Sequence, residues 1–103
     1  MKITIEPKAR EYILAKITDK TITLEVGERP AGGDEHKLSI GEYPSVAKGK
    51  SKQIERNPQN YDEVTIDGVR IFFRAKFADA FKSIHVKSQR LLFMTMLIAE
   101  GEK

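Results

Sequence analysis

A short polar loop holds the side chains of this sequence best suited to metal chemistry. It consists of Gly32, Gly33, Asp34, Glu35 and His36. Together with His85, its carboxylates and imidazole could offer oxygen and nitrogen donors to a hard or borderline ion. Three consecutive residues rarely all face one ion, whereas a solvated acidic turn needs no special arrangement. We therefore favour the solvated loop and predict no bound metal or cofactor.

His85 is the other residue that could carry out acid–base chemistry. It lies between Ile84 and Val86 in a predicted strand, so its side chain should point away from theirs, toward solvent or a sheet edge. Catalysis would need a second group within hydrogen-bond reach, and the sequence has no Ser-His-Asp spacing, paired-carboxylate motif or phosphate loop. We predict no catalytic residue and no enzymatic activity.

A basic cluster offers a possible contact with phosphate groups. Lys48, Lys50, Lys52 and Arg56 lie within nine residues, broken only by Glu55. The net charge of +3, from 18 basic and 15 acidic residues, is mild, and no aromatic residue is interleaved for base stacking. We favour a solvated loop, with weak binding of an anion or nucleic acid as the alternative.

A third candidate combines two arginines with an aromatic ring. Arg70, Phe72 and Arg74 alternate along one face of a predicted strand. Arginine and aromatic residues are enriched in protein interfaces, but Phe72 could equally lie beneath a loop or the C-terminal segment. Both interpretations, interface and internal packing, remain open from the sequence.

Composition limits the class of protein. At 103 residues, with 40% hydrophobic and 32% charged residues, the chain is expected to form one α+β domain, residues 1–103. It has no cysteine, which excludes disulfides, thiolate metal sites and thiol nucleophiles. No apolar stretch approaches the roughly 20 residues of a membrane span, and we expect a cytoplasmic protein.

Alternation and helical spacing predict most of the elements. The patterns indicate a strand at 1–6, an amphipathic helix from Pro7 to Ile17 and a second strand at 21–26. Residues 36–40 suggest a short strand, and 41–60 a long turn-rich connection. A brief helical turn is expected near Phe77–Phe81 and a strand at 84–87.

Two later segments differ in how much they reveal. Asp67-Gly68 joins two alternating runs, residues 61–66 and 69–73, which is a strong hairpin signal because both turn positions of a type I′ turn need positive φ. Residues 91–99 are almost continuously apolar, so a buried helix and a buried strand are both possible. We favour a central strand covered on both faces.

The order of these elements and several short motifs resemble the HesB-like fold of the A-type (IscA-like) iron–sulfur carriers. The shared order is strand, amphipathic helix, strand leading into a glycine loop, and Asp-Gly hairpin. The motifs are Tyr43-Pro44-Ser45-Val46, Gly49-Lys50, Asn60-Tyr61, the hairpin at 64–72 and Ala99-Glu100-Gly101. They look most like the short HesB-related proteins that carry Cys-Cys, or cysteine with selenocysteine, in the glycine loop.

The resemblance implies a scaffold whose usual chemistry depends on thiolates, the preferred ligands of iron–sulfur clusters. Here Gly32-Gly33 is followed by Asp34-Glu35, and the chain ends at Gly101-Glu102-Lys103 instead of a Cys-x-Cys pair. Carboxylates do not replace thiolates as cluster ligands. We therefore expect a non-catalytic protein-interaction module related to iron–sulfur or thiol-dependent metabolism.

Overall fold

Two β-sheets, three α-helices and two 3₁₀ turns make up the described part of the protein. The structure is a computed structural model that describes residues 1–27 and 43–103. The helices are α1 (Pro7–Lys16), α2 (Lys52–Arg56) and α3 (Phe77–Ala80), and the strands are β1 (Lys2–Ile5), β2 (Thr21–Gly27), β3 (Tyr43–Lys48), β4 (Tyr61–Ile66), β5 (Val69–Arg74), β6 (Ser83–Leu91) and β7 (Met94–Glu102). The predicted α+β class is confirmed.

Each sheet combines parallel and antiparallel pairing. The first has the strand order β1-β6-β7, with β1 parallel to β6 and β6 antiparallel to β7. The second has the order β3-β2-β5-β4, in which only β2 and β5 are parallel. The first strand of the chain therefore pairs with a strand about 80 residues later.

The core lies between the inner faces of the two sheets and is closed by α1. Alternate residues of β2 and β5 point into it, as the strand period of two requires. The buried members of the core are Ile3, Ala9, Ile13, Ile17, Ile22, Leu24, Val69, Ile71, Phe77, Phe81, Ile84, Val86 and Ala99. Burying each large aliphatic side chain contributes about 1.5–3 kcal/mol, so this cluster is the main source of stability.

The Asp-Gly hairpin forms where the sequence predicts it. Asp67 has φ 51° and Gly68 has φ 85°, which are the two positive values that a type I′ turn needs. The hairpin then directs Val69 and Ile71 into the core, where both are fully buried. This prediction is confirmed, as are the N-terminal strand, the helix beginning at Pro7, the second strand and the short helix beginning at Phe77.

The predicted connection at 41–60 is wrong in its first part, because residues 43–48 form β3. Pro44 indicates a loop in the sequence, since proline cannot donate a ladder hydrogen bond. However, β3 is at the edge of its sheet, where one side of the strand needs no donor. The rest of the segment is a short helix and a 3₁₀ turn at Pro58–Asn60.

This segment covers the outer face of the four-stranded sheet. Ile54 packs on Phe72 and Tyr61 in a second, smaller apolar cluster. Thr23, fully buried in β2, donates its hydroxyl hydrogen to the Gly49 carbonyl at 2.7 Å and accepts the Ser51 N–H at 3.0 Å. Both hydrogen-bonding roles of a buried hydroxyl are thus satisfied, which holds the segment against the sheet.

The choice of a strand over a helix at 91–99 is confirmed for residues 94–99, but the predicted central position is wrong, and the strand does not include residues 91–93. The chain turns at Leu92-Phe93, so that Leu91 ends β6 and Met94 begins β7. Within its sheet β7 is an edge strand, not a central one. The base of this hairpin is well packed: a Cβ added to Gly101 would lie 2.4 Å from the ring of Phe81. The end of the hairpin at the Leu92-Phe93 turn has no comparable packing.

The predicted strand at 36–40 lies outside the described residues. None of the helices in the described ranges is long and apolar enough to cross a membrane.

Candidate functional site

The end of the β6–β7 hairpin exposes a group of large apolar side chains. Leu92 and Phe93, which form the turn, are 87% and 96% exposed. Leu91, Met94 and Met96 beside them are between 44% and 67% exposed. We call these five residues the hairpin end. Apart from Met1, no other large apolar side chain whose burial the structure describes is comparably exposed. Contiguous apolar patches of this kind mark interaction sites.

These residue types do not stabilise the turn itself. Leu92 has φ 55°, in the left-handed region that favours glycine and that costs other residues about 1–2 kcal/mol. Because its side chain is almost wholly in solvent, no packing within the described chain offsets that cost. Local folding therefore does not account for the residue types at the hairpin end.

His85 lies on the same outer face of the three-stranded sheet, and it has two partners. Its Nδ1 is 2.7 Å from the hydroxyl of Thr4, and its Nε2 is 3.1 Å from a carboxylate oxygen of Glu6. A carboxylate only accepts, so Nε2–H donates to Glu6, and the Thr4 hydroxyl donates to Nδ1 when the ring is neutral. The expectation that His85 has no second group within reach is wrong.

The cause of that error is the register between β1 and β6. Their parallel pairing puts Thr4 directly beside His85, although the two residues are 81 positions apart. Such long-range register cannot be predicted from alternation within each strand. Next to this group, Lys87 forms an ion pair with Glu100 at 3.0 Å. The outer face therefore changes from charged and polar at its base to apolar at the hairpin end.

The basic residues at 48–56 are placed on different parts of the molecule. Lys48 donates from Nζ to the hydroxyl of Tyr12 on α1, at 2.6 Å. Lys50 instead lies over the ring of Phe72, 5.3 Å from its centroid, on the outer face of the four-stranded sheet. Lys52 and Arg56 are exposed on α2. Anion binding by this cluster stays a prediction.

Arg70, Phe72 and Arg74 share the outer face of β5, and Ile54 of α2 packs on Phe72. Phe72 is only 6% exposed and packs on Ile54, so it occupies the internal position of the two that the sequence allows. The Arg70 guanidinium lies 4.7 Å from the Phe72 ring centroid and donates to Glu63. That hydrogen bond lowers the pKa of Glu63. An interface role for the exposed Arg70 stays a prediction.

Tyr61 connects this cluster to β2. Its hydroxyl donates to a carboxylate oxygen of Glu25 at 2.6 Å, and the guanidinium of Arg74 lies over its ring. Burial, reinforced by the bond to Glu25, raises the pKa of Tyr61 above its ordinary value. The arrangement closes the outer face of the four-stranded sheet with paired polar groups.

The loop residues Gly32, Gly33, Asp34, Glu35 and His36 lie outside the described residues. Within residues 1–27 and 43–103, no three histidine or acidic side chains come together as ligands of one ion. Since the whole chain has no cysteine, it offers no thiolate to an iron–sulfur cluster.

Sequence analysis missed the hairpin end because its turn lacks the usual signals. Turns of two residues are normally indicated by Asn-Gly or Asp-Gly, whereas Leu92-Phe93 looks like the middle of a buried run. The available signal was the absence of any polar residue that could break the run from 91 to 94. A run of this kind is equally compatible with burial in the core and with an exposed binding surface.

A comparison with solved structures identifies the fold. The structure of Escherichia coli SufA, involved in biosynthesis of iron–sulfur clusters, is similar over 97% of this chain and 80% of SufA, with a TM-score of 0.57 and 15% sequence identity. At that identity the likeness shows a shared fold, as the HesB-like resemblance implies. A comparison with curated proteins gave no match.

The family assignment is more specific. A family model described as the CC/Se motif containing family matches residues 1–102. The chain therefore belongs to the CC/Se motif containing family. It does so without a single cysteine in its 103 residues.

Proposed function

We propose that the protein is a non-catalytic binding module of HesB-like fold, which has lost the thiol ligands of its relatives and acts by binding protein through the hairpin end. The observation that carries this proposal is the exposure of Leu92 and Phe93 at a turn whose backbone disfavours leucine. Exposed apolar residues that lower the stability of the folded chain are explained if a partner protein covers them.

The two sheets support the assignment of the binding surface. Ile54 and its helix cover the outer face of the four-stranded sheet, and the buried hydroxyl of Thr23 is satisfied there. The end of the other sheet has no such cover among the described residues. Aromatic residues and methionine are enriched in interfaces, and the hairpin end supplies one phenylalanine and two methionines.

Site-specific cross-linking tests this function. A photo-reactive phenylalanine analogue is placed at Phe93 in the full chain, which is then irradiated in a lysate of the source organism. We expect cross-linked protein species from position 93, and fewer after the additional change Leu92→Asp. The matched control carries the same analogue at Gln59, an exposed position in the 3₁₀ turn at Pro58–Asn60.

Equal cross-linking from both positions, or none from position 93, would contradict the proposal. So would a stoichiometric iron–sulfur absorbance after anaerobic purification, because the proposal assigns the chain no cluster of its own.

A further inference from the structure

All the sulfur of this protein is in methionine, and most of it lies at the hairpin end. The sequence has three methionines, Met1, Met94 and Met96, and no cysteine. In a chain without thiols, the thioether of methionine is the sulfur group that a hydroperoxide can oxidise. Met94 is 67% exposed and Met96 is 44% exposed. A peroxide in the solvent therefore reaches both of these side chains.

Strand β7 places the two methionines next to each other on the outer face of the three-stranded sheet. They are two residues apart in an extended strand, so their side chains share one face. Met94 lies opposite Leu91, and Met96 lies opposite Gln89. Neither methionine belongs to the buried core cluster. A change in their polarity therefore alters the hairpin end and leaves the core as it is.

We propose that Met94 and Met96 are sites of reversible oxidation by hydroperoxides, and that their sulfoxides release the partner protein from the hairpin end. The inference rests on the proposed function and adds its regulation. The sulfur lone pair attacks one peroxide oxygen, and an S–O bond forms as the O–O bond breaks. The proton of the transferred oxygen passes to the departing hydroxide, which leaves as water. The sulfur is oxidised by two electrons, and the peroxide is reduced by two.

The reverse reaction is also available to a methionine at the surface. Methionine sulfoxide reductases return the sulfoxide to the thioether. In that step a dithiol is oxidised to a disulfide, and the sulfoxide oxygen is released as water. Because both side chains are exposed in the free chain, they are accessible to such an enzyme as well as to the oxidant.

A sulfoxide weakens an apolar interface because its oxygen needs a hydrogen-bond donor. When a partner covers the hairpin end, an unpaired sulfoxide loses its hydrogen bonds to water, which lowers the affinity by about tenfold or more. Leu91, opposite Met94, has no side-chain donor, whereas Gln89, opposite Met96, has an amide that can donate. The sulfoxide of Met94 should therefore weaken binding more than that of Met96.

Met1 serves as an internal reference for the same chemistry. It is 39% exposed, which is close to the exposure of Met96. It precedes Lys2, which pairs with Ser83 at the end of β6 far from the hairpin turn. With ~3.3 Å for each residue of a strand, Met1 and Met94 are on the order of 25 Å apart. Oxidation of Met1 should therefore leave the hairpin end unchanged.

Oxidation before cross-linking tests the proposal. The full chain with the photo-reactive analogue at position 93 is treated with hydrogen peroxide, freed of peroxide and irradiated in a lysate from which small-molecule reductants have been removed. Peptide mass spectrometry measures the sulfoxide at each methionine. We expect Met94 to be oxidised fastest and the cross-linked species to fall by about tenfold or more. Sulfoxide reductases with a dithiol should restore them.

Two double variants identify the methionines responsible. Met94→Leu with Met96→Leu keeps the apolar volume and leaves Met1 as the only sulfur in the chain. It should cross-link like the wild-type chain both before and after peroxide. Met94→Gln with Met96→Gln adds polar amides and should lower cross-linking without any peroxide. Urea unfolding should be the same for all samples, which separates lost binding from a lost fold.

The outcomes distinguish this inference from the proposed function. Cross-linking that persists after complete oxidation of Met94 and Met96 would overturn the inference and leave the proposed function standing. The same holds if the double leucine variant loses cross-linking on oxidation to the extent that the wild-type chain does. If the untreated chain gives no cross-linked species, the proposed function fails, and this inference fails with it.

Discussion

The two β-hairpins of this protein use apolar residues in opposite ways. In β4–β5, an Asp-Gly turn suits the backbone, and Val69 and Ile71 behind it are fully buried. In β6–β7, a Leu-Phe turn opposes the local backbone preference, and the turn side chains are almost wholly in solvent. The first hairpin is explained by folding alone. The second is not, and the proposed function explains it by a contact outside the chain.

The largest expected difference is in stability after truncation of an apolar side chain in each hairpin. Ile71→Ala should lower the free energy of unfolding by about 3 kcal/mol, because it removes a fully buried side chain and leaves a cavity. Phe93→Ala should change it by less than about 0.5 kcal/mol. Urea unfolding of monomeric protein at low concentration measures both. A comparable loss for Phe93→Ala would show that the two hairpins are not distinct in this respect.

The turns themselves should respond with opposite signs. Gly68→Ala should destabilise the protein by about 1 kcal/mol, because φ is 85° at this position. The effect should come from the backbone alone, since the atom nearest to an added Cβ, on Leu14, is 3.8 Å away. Leu92→Gly should raise the free energy of unfolding by up to about 1 kcal/mol, because it relieves a strained φ of 55° and removes no internal contact. Thermal unfolding of the monomer measures this pair. A loss of more than about 1 kcal/mol for Leu92→Gly would mean that its side chain packs within the chain.

The smallest effect concerns Tyr61, at the start of the well-packed hairpin. Its raised pKa means that the folded state holds the phenol proton more tightly than the unfolded chain does. The stability gained is present below the ordinary pKa of 10.0 and is lost as pH rises through the folded-state value. Phenolate absorbance of the folded protein should therefore include a component that titrates above pH 10 and is absent in Tyr61→Phe. If the variant keeps that component, it belongs to another tyrosine.

How much of the structure could be predicted depended on whether the deciding forces are local. Asp67-Gly68 fixes its turn through two residues, and the spacing of Ala9 and Ile13 fixes a helix face, so both were predictable. Pro44 led to the wrong prediction of a loop, because the position of a strand at the edge of a sheet is a property of the assembled fold. The partners of His85 depend on a register between strands about 80 residues apart, which no local pattern encodes.

The candidate binding surface was harder to predict for a different reason. Burial within a chain and burial between chains select the same residue types, so Leu91–Met94 carried no mark of its location. The exposure of Leu92 and Phe93 in the folded chain separates the two cases. It is a property of the folded structure and was not accessible from composition or spacing.

The pairing of β1 with β6 also has a consequence for the order of folding. Residues Lys2–Ile5 complete their sheet only with Ser83–Val86, so β1 cannot pair until about 80 further residues have been synthesised. The four-stranded sheet needs nothing beyond Arg74 and can begin to form earlier during synthesis. We therefore expect the hairpin end to be held in place only after the rest of the core has formed, so its exposed apolar side chains take up their ordered arrangement late in folding.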